Sequence, residues 1–128
     1  MAKQLKVRTT LSSSTAIATD TLSADFIETV SIANPIVQSG EVTLNFTPTA
    51  EEILEAGKTM STYCYIKNMD SQNYISVRTK SASLEFIRLK PGEHAYFPVA
   101  PAIGVEVINS ATATTTSKVL YGIFDASA

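Results

Sequence analysis

The chain has 128 residues, 45% of them hydrophobic and 17% charged, with a net charge of −2. That length buries about two-thirds of its unfolded surface in one core, and the balance is globular rather than disordered. No apolar run approaches the ~20 residues that cross a bilayer, no basic excess points to nucleic acid, and a lone cysteine, Cys64, excludes an intrachain disulfide.

The opening "MAKQLKVRTT" has basic residues with no apolar block behind them, so no secretory leader is expected. Alternation with a period of two starts here and continues almost throughout. It predicts strands at Lys3–Thr9, Phe26–Ala33, Glu41–Phe46, Thr62–Lys67, Tyr74–Thr79, Leu84–Leu89, Ala95–Val99, Ile103–Ile108 and Lys118–Phe124, rich in the Val, Ile, Tyr, Phe and Thr that suit a pleated surface. "NMDSQN", "KSAS", "KPGE" and "APAIG" supply the turns. Hydroxyl-rich stretches, Leu11 to Ser23 and Ser110 to Ser117, predict long surface loops. One segment dissents. In "TPTAEEILEAGK", Thr49 and Glu52 fit a capping box and Gly57 a helix stop, which predicts one short helix near residues 49–57, the alternative being an irregular β crossover.

The expected architecture is all-β: a jelly-roll-like β-sandwich of about eight or nine short antiparallel strands, with at most that one helix. It forms one domain over residues 1–128, with residues 1–25 an extended arm and loop.

The only histidine, His94, lies in "FIRLKPGEHAYFPV". Pro91 presets φ at the second position of a tight turn and Gly92 takes the positive φ of the third, so the stretch predicts the type II corner of a β-hairpin. Alternation then puts His94 beside Tyr96 on the face opposite Phe97. A relay through His94 needs a nucleophile and an orienting carboxylate, and a metal site needs three or four ligands. Neither set is apparent, so His94 reads as a structural or interface residue. Glycine-rich nucleotide loops and calcium loops are missing from the sequence, and Glu51, Glu52 and Glu55 sit too close for a glycosidase pair. The "NFT" sequon at Asn45 reads as chance. No enzyme and no cofactor is expected. Cys64, in the apolar run "TYCYIK", reads as a buried thiol.

Charge is unevenly spread. Thr9 to Gly57 holds seven acids and no base, while Lys58 to Lys90 holds six bases against two acids. This reads either as ordinary solvated faces or as complementarity between copies or with a partner. Several strands are apolar on both faces: Tyr63 and Tyr65 against Cys64 and Ile66, Leu84 and Phe86 against Ile87 and Leu89, Leu120 and Phe124 against Val119, Tyr121 and Ile123. A covering loop, a bulge or another subunit would each explain the second face.

"YCYIKNMDSQNYISVR", then "FIRLKPGEHAYFPVAP", then a closing "VLYGIFDA" resembles a pattern in small structural proteins of tailed-phage virions. The matching residues are Lys67, Asn68, Asp70, Asn73 and Tyr74, then Leu89 to Glu93, Ala95 and Phe97, then Leu120 to Phe124. The resemblance covers roughly the C-terminal half, with an echo in "MAKQLKVRTTL"; the segment 47–60 departs from it. It implies a capsid decoration, or cement, protein: a homotrimer on the outside of the head that binds the major capsid protein and touches neither nucleic acid nor membrane. By contact type the interface candidates are Tyr63, Tyr65, Arg78, Lys80, Arg88, His94 and Tyr96. The alternatives are a head–tail connector, tail or fibre component, or a carbohydrate-binding β-sandwich.

Overall fold

The computed structural model of the chain describes residues 3–12, 23–32, 38–57 and 62–125. Within them lie ten strands: β1 (Lys3–Ser12), β2 (Ser23–Ile32), β3 (Gln38–Leu44), β4 (Glu51–Leu54), β5 (Thr62–Asn68), β6 (Ile75–Thr79), β7 (Glu85–Leu89), β8 (His94–Val99), β9 (Val105–Asn109) and β10 (Ser117–Asp125). Nine match the predicted strands to within a few residues, and Ala33, the predicted end of the second, falls outside the described residues. The tenth, β4, replaces the helix.

The last eight strands form two four-stranded antiparallel sheets, ordered β3-β10-β5-β8 and β4-β9-β6-β7. Their pairing is nested: β3 with β10, β4 with β9, β5 with β8, β6 with β7. A long hairpin rolled up this way, with its successive strand pairs dealt to alternate sheets, is a jelly roll. Between the sheets sits the core, formed by Leu44, Ile53, Leu54, Cys64, Ile66, Ile75, Val77, Leu89, Val99, Val105, Val107, Val119 and Ile123.

The segment 49–57 corrects the sequence reading. Two turns of helix are too short to be stable without packing, whereas the edge of β9 offers a ladder. β4 pairs with it, and the register shifts between Glu52 and Leu54. That bulge lets the neighbours Ile53 and Leu54 both enter the core. The adjacent apolar pair imitated helical spacing. Thr49 does not cap a helix; its hydroxyl donates to the Thr47 carbonyl at 3.3 Å.

The turn at residues 90–93 has the predicted conformation, with Gly92 at φ +81° and Glu93 N–H donating to the Lys90 carbonyl at 3.0 Å. It is not a hairpin corner, however. β7 and β8 lie in different sheets, so the turn crosses the end of the sandwich. Turn chemistry fixes the reversal but not the pairing partner. Here Asn68, at the end of β5, captures the turn instead: its N–H donates to the Glu93 carbonyl and its carbonyl accepts from Gly92 N–H.

The first hydroxyl-rich stretch is strand at both described ends, and its centre, residues 13–22, falls outside the described residues. The second is a short loop with buried anchors: Ser110 and Ser117 are both buried and hydrogen-bonded to Asn109. The remaining strands, β1 and β2, form a separate antiparallel ribbon of ten residues each with unbroken register from Lys3↔Ile32 to Ser12↔Ser23.

Candidate functional site

The seven interface candidates fall on opposite faces of the sandwich. Arg78, Lys80 and Arg88 lie on the outside of the β4-β9-β6-β7 sheet, each already in an ion pair. Arg78 reaches Glu106 at 2.7 Å, Lys80 reaches Glu52 at 2.5 Å, and Arg88 reaches Glu85 at 2.9 Å. Glu85 also accepts from the Ser76 hydroxyl, which, with Arg88, holds its carboxyl below the usual range. The Glu52 carboxylate pushes the Lys80 ammonium up. Arg88 in addition lies 4.3 Å from the centre of the Tyr74 ring. Lys80–Glu52 joins the basic segment of the sequence to the acidic one, and Lys118–Glu41 and Arg8–Asp25 are further cross-strand pairs within the chain.

Tyr63, Tyr65, His94 and Tyr96 come together on the outside of the other sheet. β5 and β8 pair with Tyr65 opposite Tyr96, and alternation turns these four side chains away from the core that Cys64, Ile66 and Val99 enter. Diagonal neighbours pack into a ladder: Tyr63 and Tyr96 rings stack at 6.2 Å and 10°, and Tyr65 and His94 meet tilted at 5.8 Å and 33°. The predicted placement of His94 beside Tyr96 holds, as does that of Phe97, which packs on the core.

The β1-β2 ribbon borders this face. Lys6, Val7, Arg8 and Thr9 form one wall of an open groove of about 840 Å³, whose other walls include Tyr65, His94, Tyr96, Leu120 and Phe124. The Tyr96 hydroxyl is buried there without a hydrogen-bond partner among the described residues. Desolvation, then the nearby Glu28 carboxylate of β2, raises its pKa. The groove lining holds two cations and no carboxylate. One imidazole, one threonine hydroxyl and three tyrosines complete its polar lining. Among the described residues there is no cluster of three or more metal-ligating side chains.

Sequence reasoning placed Tyr63 with Tyr65, His94 with Tyr96 and Leu120 with Phe124, but not the pairing that joins the first four into a ladder, and it missed the ribbon. Phe26 is 60% exposed and Ile27 57%. As neighbours on one strand they point to opposite faces, so neither face of the ribbon is sealed. The available signal was "KQLKVRTTL", alternating basic and apolar positions, followed within a few tens of residues by the acidic "ADFIETV".

Asn68, Asp70 and Asn73, in the stretch "KNMDSQN", tie loops and sheets together. The Asn68 amide donates to Asn73 and Leu89 carbonyls, Asp70 accepts from Gln72 and Asn73 N–H, and the Asn73 amide donates to the Thr115 carbonyl. Comparison with family models, with curated proteins and with solved structures returns no match for this chain.

Proposed function

We propose that this chain is a non-enzymatic structural protein that binds a large protein surface through repeated modest contacts, and specifically a decoration protein on the exterior of a tailed-phage head. In this reading its partner is the major capsid protein and its working form a homotrimer. One observation carries the assembly reading: an aromatic sheet face and a projecting two-stranded ribbon leave Phe26, Ile27 and Leu120 in water, where a monomeric protein gains nothing from them. Tyrosine suits such a face because it buries area while keeping a polar tip. Trivalent attachment makes weak contacts effective by raising local concentration. The virion assignment itself is supported by the sequence resemblance in residues 63–78, 86–101 and 119–126.

Co-sedimentation of the purified protein with emptied phage heads tests this reading. Saturable binding at a fixed ratio to capsid subunits, lost in a Tyr63→Ala/Tyr96→Ala variant, is the expected result; no binding to any head tested overturns it. A connector, tail or fibre component would use the same faces and bind tails or portals instead. The aromatic groove with two cations and a Tyr96 hydroxyl that has no partner among the described residues also favours a second reading, a carbohydrate-binding module. Binding on a glycan array without binding to capsids would select it.

A further inference from the structure

We propose that β1 of one copy pairs, along its outer edge, with β2 of a second copy, joining the ribbons of neighbouring protomers into one continuous sheet. This rests on the reading of the chain as an assembling structural protein and names the surface through which copies join.

The first observation is geometric. Successive side chains of a strand point to opposite faces, so a groove that meets a strand's face is lined by alternate residues. Four consecutive residues, Lys6 to Thr9, border the groove. The ribbon therefore presents the edge of β1 there, with its backbone N–H and C=O groups. Among the described residues β1 pairs only with β2 and β2 only with β1, so each strand has one unpaired edge ten residues long. Unpaired edges of that length are templates for strand addition unless something blunts them. No proline lies in either strand, and the register runs without a bulge. A two-stranded ribbon alone is also marginal in water, whereas a wider sheet is not.

Charge then selects the occupant. β1 carries Lys3, Lys6 and Arg8 and no acid; β2 carries Asp25 and Glu28 and no base. Pairing β1 with a second β1, or β2 with a second β2, sets like charges side by side, while β1 against β2 sets opposites together. Within one ribbon Arg8 and Asp25 already pair at 2.7 Å. Lys6 and Glu28 do not: Lys6 stands opposite Thr29 and Glu28 opposite Val7, on different faces, and neither has an ion pair among the described residues. The intermolecular pairing is free to adopt a register one residue removed, which brings Lys6 and Glu28 of different copies to one face. The same addition gives Phe26 and Ile27, one on each face, a cross-strand neighbour from the second copy and so reduces the apolar surface they leave in water. Because the two edges differ, the contact is heterologous, and copies joined through it form a cyclic ring where the rotation from one to the next closes.

Light scattering coupled to size exclusion, over a range of protein and salt concentrations, tests this. Wild type is expected to form a species that is a small multiple of 13.7 kDa and weakens as salt rises. F26K/I27K alters only exposed side chains and is expected to run as one protomer with unchanged far-ultraviolet circular dichroism. K6E and E28K are each expected to weaken association by roughly fivefold, the scale of one exposed charge pair, and K6E/E28K to restore it. Wild type running as one protomer at all concentrations overturns the inference. So does an oligomer whose mass F26K/I27K leaves unchanged, or a K6E/E28K variant no better than its parents. Capsid co-sedimentation of the same samples keeps the two readings apart: an oligomer insensitive to these changes that still binds heads sinks the ribbon contact alone.

Discussion

The Asn68 amide donates a 3.0 Å hydrogen bond to the Leu89 carbonyl, and that bond crosses from one sheet of the sandwich to the other. Asn68 is fully buried, and its amide oxygen accepts from Asp70 N–H at 2.9 Å while its nitrogen also serves the Asn73 carbonyl. Asn68→Ala takes a hydrogen-bond partner from three backbone groups at the joint between the sheets. The expected loss is about 2–4 kcal/mol of unfolding free energy, measured by urea denaturation. A loss below about 0.5 kcal/mol, the scale of an ordinary surface change, would show that water replaces the amide there.

The ion pairs on the charged sheet should not contribute equally. Arg78 and Glu106 have side chains only 22% and 9% exposed, and both Nε and Nη2 of Arg78 donate to one carboxylate oxygen. Arg88 and Glu85 are 53% and 36% exposed. Arg78→Ala strands a nearly buried carboxylate and is expected to cost about 1–3 kcal/mol; Arg88→Ala is expected to cost about 0–1 kcal/mol. Chemical denaturation of both variants decides. Equal losses would mean that burial does not set the ranking.

Two glycines separate backbone strain from crowding. Gly92 sits at φ +81° with open space around a notional Cβ, so Gly92→Ala meets only the left-handed backbone penalty, about 1 kcal/mol. At Gly104 an added Cβ lies 3.0 Å from the Ala56 nitrogen and 3.1 Å from the Lys80 Cβ, where β4 and β6 flank the start of β9. Gly104→Ala must push backbone apart and is expected to cost more, about 1–3 kcal/mol. Thermal unfolding should rank Gly104→Ala below Gly92→Ala, and the reverse order would place the strain at the 90–93 turn.

What could be read from the sequence was whatever a period of two and local turn chemistry encode. Tyr63, Tyr65, Cys64 and Ile66 separate onto two faces because alternation admits one solution. The positive φ of Gly92 is equally local. Which strand the "KPGE" turn leads into is not: it depends on Asn68, more than twenty residues earlier, capturing Gly92 and Glu93. The β4 bulge escaped for a related reason, since Ile53 and Leu54 mimic helix until β9 offers an edge. The split of the seven interface candidates also followed from topology. Arg78 and Tyr65 are both strand residues facing outward, and only the sheet order shows that they face opposite ways. The ribbon was hardest to see, because Lys6 and Phe26 resemble any half-buried strand until β1 and β2 prove to stand outside the sandwich.

The buried thiol supplies a pH test with a definite sign. Cys64 has no exposed surface, and desolvation pushes its pKa from the ordinary 9.0 up to about 12. The folded chain therefore keeps a proton that the unfolded chain releases above pH 9. Stability from this group is complete below that pH and falls as pH rises, by about 1.4 kcal/mol per unit until the folded pKa is reached. Lysines and tyrosines titrate in the same window, so the quantity to measure is the difference in unfolding free energy between wild type and Cys64→Ala from pH 8 to 11. The advantage of wild type is expected to shrink above pH 9. At pH 8 a disulfide reagent is expected to label no thiol in the native protein and one in urea. Native labelling at the denatured rate, together with a flat difference curve, would place Cys64 in contact with solvent and remove it from the core.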